Sequence, residues 1–295
     1  DENVLIFWYE TDNEHAPVQI NHWIQNIAGN GYSLYQNSTD LNGEFEEVYT
    51  AEILNIPGFY ETEYPNPADP AHPRLISAML TKDEGQLELN VYYDRIEYPY
   101  EFRFLKQGTD EVLHAPITGE QRYQAQVTQN ALMIPGYDLV GPENLAITIA
   151  IEDPDNVAKN NVKTFYYKEQ EATIHYKVVG PANSGTVDPS GETIPVLTGN
   201  AQGSTPAAKP GYRFVGWFKD EVCTEPITGG DWISTGDKLV PQKTKEIVEA
   251  KDGADAVFGY ESATYYAKFE PDVADLTITK QGTAEIDENQ SYVFE

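Results

Sequence analysis

Three near-copies of one short string constrain this chain most. Val91-Tyr-Tyr-Asp-Arg-Ile-Glu97, Phe165-Tyr-Tyr-Lys-Glu-Gln-Glu171 and Thr264-Tyr-Tyr-Ala-Lys-Phe-Glu270 each close a β-rich run. A second string precedes each of them, as Pro57-Gly58-Phe59, Pro135-Gly136-Tyr137 and Pro210-Gly211-Tyr212, lying 35, 31 and 55 residues from proline to first tyrosine. Two landmarks in one order, three times over, predict tandem modules with insertions of different size. The Pro-Gly landmarks recur after 78 and 75 residues, which sets modules just large enough for one core each. The shared order of strand, Pro-Gly turn and double-tyrosine strand predicts mixed sheets of one topology. Opening and closing strands should be central neighbours, with Tyr93, Tyr167 and Tyr266 in corresponding places.

Charge narrows the partners. The 48 acidic residues outweigh 19 basic ones, giving a net charge of −29 spread over all modules, which argues against nucleic acid and anionic membrane surfaces. Apolar runs fall far short of a membrane span, so no membrane insertion is expected. One cysteine, Cys223, excludes an intrachain disulfide and a four-thiolate zinc site. The chain starts at aspartate without a charged or apolar leader, and is expected to be an excised piece or mature segment.

Read in order, Val4 to Glu10 is the first strand. Gln19 to Gln36 places Ile20, Trp23, Ile24 and Ile27 at helical spacing before Gly29 and Gly31, predicting a short helix or helical loop private to the first module. Asn66 to Pro73 carries three prolines and reads as extended loop. Gln86 to Asp94 alternates, with Leu87, Leu89, Val91 and Tyr93 on one face of a half-buried strand. In the second module Tyr100, Phe102 and Phe104 alternate inward, and His114-Ala115-Pro116 repeats His15-Ala16-Pro17 as a turn. The third opens with Ala172 to Val179 and carries Trp232 and Cys223 in an insertion. Linkers are read at Ile96 to Pro99, Glu169 to Ala172 and Pro271 to Ala274. Connections this short predict modules set end to end.

Little in the chain points to chemistry. Carboxylates flank Cys223 in Asp220-Glu-Val-Cys-Thr-Glu-Pro226 and would raise its pKa, so it reads as a structural or incidental thiol. The histidines at 15, 22, 72, 114 and 175 lack metal-ligand spacing, and no phosphate loop or nucleophile elbow occurs. No catalytic residue, cofactor or metal ligand is assigned. Asp40-Leu-Asn-Gly-Glu44 and Asp153-Pro-Asp-Asn156 offer alternate oxygens to a cation, but turn chemistry accounts for both.

The pattern of the first two modules, with its strand, His-Ala-Pro, Gly-Glu, Ile-Pro-Gly-aromatic turn and double-tyrosine strand, resembles the mucin-binding-protein repeat of Gram-positive surface proteins. Lys209-Pro-Gly-Tyr-Arg-Phe-Val-Gly-Trp-Phe-Lys-Asp220 with Ala263-Thr-Tyr-Tyr-Ala-Lys-Phe-Glu270 resembles the Listeria-Bacteroides repeat of internalin B and clostridial surface proteins. Ala274-Asp-Leu-Thr-Ile-Thr-Lys280 and Asp287 to Glu295 resemble the opening of a pilin-type prealbumin-like domain, whose isopeptide partners for Lys280 would lie beyond Glu295. These resemblances imply a mainly β or α+β fold of tandem β-grasp, ubiquitin-like modules in an elongated array. The divisions they imply are 1–95, with a helical insertion, 96–170, 171–271 and a truncated 272–295. They also imply an extracellular, cell-wall-attached setting. Two functions are expected from them: a non-enzymatic, monomeric stalk within an adhesin, or direct binding of host glycan, mucin or host surface protein. For binding, Trp23, Tyr32, Tyr35, Tyr60 and Tyr64 in the first module form the candidate platform, since aromatic rings offer contact area at low entropic cost. Against it, Trp23 could be core and the tyrosines edge cover.

Overall fold

The computed structural model describes residues 14–83, 85–152, 160–228, 232, 236–250 and 254–273, and every regular element among them is a β-strand. The first six are β1 (His15–Gln25), β2 (Tyr32–Glu44), β3 (Val48–Thr50), β4 (Phe59–Glu61), β5 (Ser77–Met79) and β6 (Leu87–Arg95). Six more follow: β7 (Glu97–Lys106), β8 (Val112–Arg122), β9 (Gln126–Asn130), β10 (Tyr137–Val140), β11 (Asn144–Thr148) and β12 (Val162–Glu169). The last eight are β13 (Glu171–Val179), β14 (Gly185–Asp188), β15 (Gly191–Pro195), β16 (Thr205–Ala208), β17 (Tyr212–Phe218), β18 (Lys245–Val248), β19 (Val257–Gly259) and β20 (Ala263–Pro271). The chain divides into two compact units between Lys168 and Glu169.

One sheet plan recurs. The first unit holds sheets ordered β2-β1-β6-β4 and β8-β7-β12-β10, each accompanied by a strand pair, β3-β5 and β9-β11. The second unit holds β15-β13-β20-β17 with pairs β14-β16 and β18-β19. In every sheet the opening and closing strands are central neighbours and run parallel, as β1 with β6, β7 with β12, and β13 with β20. Each Pro-Gly string forms the same turn. Gly58, Gly136 and Gly211 have φ of 83°, 81° and 84°. The following amide closes each turn, Phe59 to Ile56 O at 3.0 Å, Tyr137 to Ile134 O at 3.1 Å and Tyr212 to Lys209 O at 3.0 Å. Proline presets the first corner and glycine takes the positive φ of a type II turn without a Cβ clash. Each turn launches the edge strand beside the closing strand: β4, β10 or β17.

Cores form where period-2 faces meet. Ala16, Val18, Leu87, Leu89, Val91 and Tyr93 fill the first, Phe102, Phe104, Ile147, Ile149, Phe165 and Tyr167 the second, and Ile174, Tyr176, Trp217, Tyr265, Ala267 and Phe269 the third. Trp232 packs against this third core with its ring 5.9 Å from Tyr265.

Several sequence expectations need correction. Gln19 to Gln36 is no helix: β1 and β2 form an antiparallel hairpin joined by a turn at 26–31. Val18, Ile20, His22 and Ile24 point to the core, whereas Trp23 lies on the opposite face and Ile27 is 48% exposed. The alternation was hidden by its polar member, because His22 is buried and its Nδ1 stands 3.1 Å from the Tyr93 hydroxyl. The α+β alternative therefore loses its helix, and the described residues are all β.

His-Ala-Pro is not a repeated turn either, since His15 opens the first strand of its sheet while His114 lies in the second strand of the next. Tyr266 is out of phase: Tyr93 and Tyr167 face their cores, but in β20 the core position belongs to Tyr265. A one-residue slip moves a side chain to the other face. The linkers nearly vanish, because Ile96 alone separates β6 from β7 and Gln170 alone separates β12 from β13. Asp40 to Glu44 is a bulged end of β2, with the Asn42 amide 3.0 Å from Asp40 Oδ1. Val4 to Glu10, Asp153 to Asn156 and the tail with Lys280 lie outside the described residues.

Candidate functional site

The outer face of the first sheet differs from an ordinary solvated face. Register aligns Gln19 with Glu88, Asn21 with Asn90 and Trp23 with Tyr92 across β1 and β6. Their side chains form one connected ladder: Gln19 Nε2 donates to Asn21 Oδ1 at 2.9 Å, and Asn21 Nδ2 donates to Glu88 Oε1 at 2.8 Å and Asn90 Oδ1 at 3.0 Å. The Trp23 indole N–H also donates to Asn90 Oδ1, at 2.9 Å. Asn21 and Asn90 are each 2% exposed, so the ladder satisfies groups that would be costly to bury alone.

What buries them is the proline-rich loop. Asn90 Nδ2 donates to Pro73 O at 3.3 Å, and the Tyr92 hydroxyl donates to His72 O. The His72 ring lies 4.9 Å from Trp23, Tyr92 stacks 6.2 Å from Trp23, and Tyr32 meets Tyr92 edge-on at 4.8 Å. Tyr32 ties the hairpin to both neighbours: its hydroxyl donates to Asp94 Oδ1 at 2.6 Å and accepts the Asn66 amide at 2.9 Å. β6 is therefore buried on both faces, with Tyr92 1% exposed, where sequence alternation predicts a half-buried strand.

Between this loop and the hairpin turn opens a crevice of about 300 Å³, lined by Trp23, Gly31, Tyr32, Pro67 to Pro70 and Tyr92. Asp69 is its charged wall. The Asp69 carboxylate accepts from the Ala71 amide at 2.9 Å and pairs with His72 Nδ1 at 3.0 Å. The His72 contact, followed by the Ala71 amide, holds Asp69 below the usual carboxylate range. Burial, then the Asp69 and Glu88 carboxylates, push Tyr92 up to about 12.

Of the five candidate platform residues, the structure brings two together. Trp23 and Tyr32 line the crevice, and Trp23 lies outside the first core. Tyr35 is the extra residue of a bulge between the Trp23–Leu34 and His22–Gln36 pairs and is 51% exposed. Tyr60, 53% exposed, stands opposite Asp94 beside the crevice, and Tyr64 is 83% exposed outside its lining. Sequence reasoning missed Tyr92, His72 and Asp69. The signal for Tyr92 was the even-numbered face of β6, which pairs with the odd-numbered Gln19, Asn21 and Trp23 of β1, while nothing in the local sequence marks His72 and Asp69 in the proline-rich loop.

Tyr92 also sets an alkaline response. Its unfolded phenol ionises near 10 and its folded one near 12. Its stabilising effect is therefore complete below pH 10 and is lost as pH rises from about 10 to 12. Urea midpoints of the full chain should fall across this window, and Tyr92→Phe should make the fall shallower. An equal slope in the variant would show that Tyr92 carries none of it.

No protein-family model and no curated protein sequence matches the chain. Among solved structures, the Bacillus anthracis TIE protein aligns over 86% of this chain and 50% of its own, at 10% identity and a TM-score of 0.38. This chain thus spans about half the length of that protein. The type 2 repeat of the mucus binding protein MUB from Lactobacillus reuteri aligns over 52% of this chain and 100% of its own, at 10% identity and a TM-score of 0.17.

Proposed function

We propose that this chain is a non-catalytic, load-bearing repeat region of a bacterial cell-wall-attached surface protein, a stalk within an adhesin. Its modules would be β-grasp-like units divided at 1–95, 96–170 and 171–271, with 272–295 beginning another domain. The observation that carries this reading is the parallel central pair of opening and closing strands, present in all three sheets. Tension enters a module at the start of its opening strand and leaves at the end of its closing strand. In parallel neighbours those points lie at opposite ends of the pair, so the load runs along the strands and strains their ladder bonds together. A hairpin pulled from its turn yields one bond at a time.

Single-molecule extension of the full chain through its two ends is therefore expected to give a higher force peak for the first module than extension between the C-terminus and a cysteine placed at Asn30, in the β1–β2 turn, while the peaks of the other two modules stay the same. Cys223→Ser in both samples removes the competing attachment point. Equal peak forces for the first module would overturn the load-bearing reading.

The crevice on the first sheet favours a second reading, in which the first module itself holds a host ligand, glycan or protein. Trp23→Ala should then abolish capture of that ligand by the full chain while leaving its far-ultraviolet spectrum unchanged. Capture unaffected by the substitution would place ligand recognition elsewhere.

A further inference from the structure

We propose that the crevice between the proline-rich loop and the β1–β2 turn receives a cationic side chain, an alkylammonium or guanidinium group carried on a basic polypeptide. This rests on the reading of the first module as a ligand site and names the chemistry that site would select. The lining supplies aromatic rings from Trp23 and Tyr32, backed by the buried ring of Tyr92, one acidic residue, Asp69, and no lysine or arginine.

The side-chain donors of that lining are already engaged: the Trp23 indole with Asn90, the Tyr32 hydroxyl with Asp94 and the Tyr92 hydroxyl with His72 O. Pro67 and Pro70 have no amide hydrogen to offer. Acceptors remain. A carboxylate provides about four lone-pair sites. Asp69 uses one oxygen for the Ala71 amide and the other for His72, leaving capacity on both. A ligand entering here meets π-faces and a negative acceptor.

That combination discriminates sharply. An anionic group, such as a sialic acid or sulfate, would find no side-chain donor and would face Asp69. A neutral sugar would find the side-chain donors of Trp23, Tyr32 and Tyr92 already committed within the protein. A cation satisfies both features, because ammonium and guanidinium groups are attracted to the face of Trp or Tyr and donate to carboxylates. Asp94 and Glu88 on the same sheet face add to the field, as does the net charge of −29, which steers basic polypeptides toward the surface. A volume of about 300 Å³ lies at the small end of ligand sites and suits one long side chain.

The test uses the full chain, ¹⁵N-labelled, titrated at physiological salt with an acetylated and amidated penta-arginine peptide. The four indole N–H resonances report separately, and Trp23→Phe assigns the relevant one. A saturable shift confined to the Trp23 indole is expected. Asp69→Asn should weaken it about fivefold, as loss of one charge-assisted contact does. Glu246→Gln, an exposed residue of β18 in the other unit, changes net charge equally and should leave the shift in place. Equal weakening by both substitutions would reveal diffuse attraction and overturn the proposal. A Trp23 shift with N-acetylglucosamine oligomers and none with the peptide would overturn the cation assignment while leaving the ligand-site reading standing. Silence of Trp23 toward peptide and sugar alike would count against both.

Discussion

Gly58→Ala is expected to destabilise the first unit by about 3 kcal/mol, whereas Gly211→Ala, in the same kind of turn, should cost the second unit only about 1 to 2 kcal/mol. Both glycines occupy the positive-φ corner of a type II turn, with φ of 83° and 84°, so the backbone penalty for alanine is shared. Their surroundings are not. A Cβ on Gly211 would meet no atom within 4 Å, while one on Gly58 would fall 2.3 Å from the Tyr123 ring. Tyr123 cannot swing aside cheaply: its ring packs edge-on against Phe59 at 6.0 Å and Tyr98 at 6.5 Å. Its backbone is also held, with the Tyr123 amide donating to Ile96 O at 2.9 Å and the Ile96 amide donating to Gly58 O at 3.0 Å. The Pro57-Gly58 turn therefore has a duty its counterpart in the second unit lacks, seating the tyrosine that follows β8. Denaturant unfolding of the full chain, with each unit followed by hydrogen exchange, would show the difference. Equal losses would mean that Tyr123 yields freely.

The sequence made some of this legible because landmarks carried by backbone chemistry survive insertion. Pro-Gly spells a type II turn whatever surrounds it, and all three turns form where the repeat places them. The double tyrosines mark the closing strand of each sheet because large aromatics suit a pleated, half-buried surface. Phase is not local. Whether Tyr265 or Tyr266 faces the core depends on register with β13, where Tyr265 pairs with Tyr176. The helix expected at Gln19 to Gln36 failed because Trp23 was counted as a core residue, whereas it belongs to an aromatic cluster on the opposite face. The crevice was half legible: Trp23 and Tyr32 stood out as aromatics in an insertion. Tyr92 reads in the sequence as part of the repeat and the proline-rich loop as connection, whereas the folded loop covers Asn90 and Tyr92.

Arg95→Ala is expected to cost about 3 kcal/mol and to split unfolding of the first unit into two steps. From the sequence, Arg95 is only the residue before a linker. In the structure it is 9% exposed at the end of β6, and its guanidinium bridges the two sheets of the first unit. Nε donates to Gln25 O at 2.8 Å on the first sheet, while Nη1 donates to Tyr123 O at 3.0 Å and Gln124 Oε1 at 2.9 Å, beyond β8 of the second. The same group lies 4.8 Å from the centre of the Phe59 ring. Burial pulls its pKa below the usual arginine range, the mark of a cation held by neutral carbonyls and a ring instead of a carboxylate. Alanine would leave the Gln25 and Tyr123 carbonyls without their guanidinium donors and would open the space between the sheets. Lysine should rescue little, because a point-like ammonium cannot reach the acceptors on both sides that the planar guanidinium spans. Methionine keeps the stem's packing and separates that contribution from the hydrogen bonds. With the bridge cut, the sheets stay joined only by Ile96 and the packing of Tyr123 and Arg122 against the first sheet, and each should melt nearer its own midpoint. Hydrogen exchange of amides in β1 and in β7 would then part company in denaturant. If Arg95→Ala left the two sheets unfolding together with unchanged midpoint, coupling would have to reside in the remaining contacts of Ile96, Arg122 and Tyr123 with the first sheet.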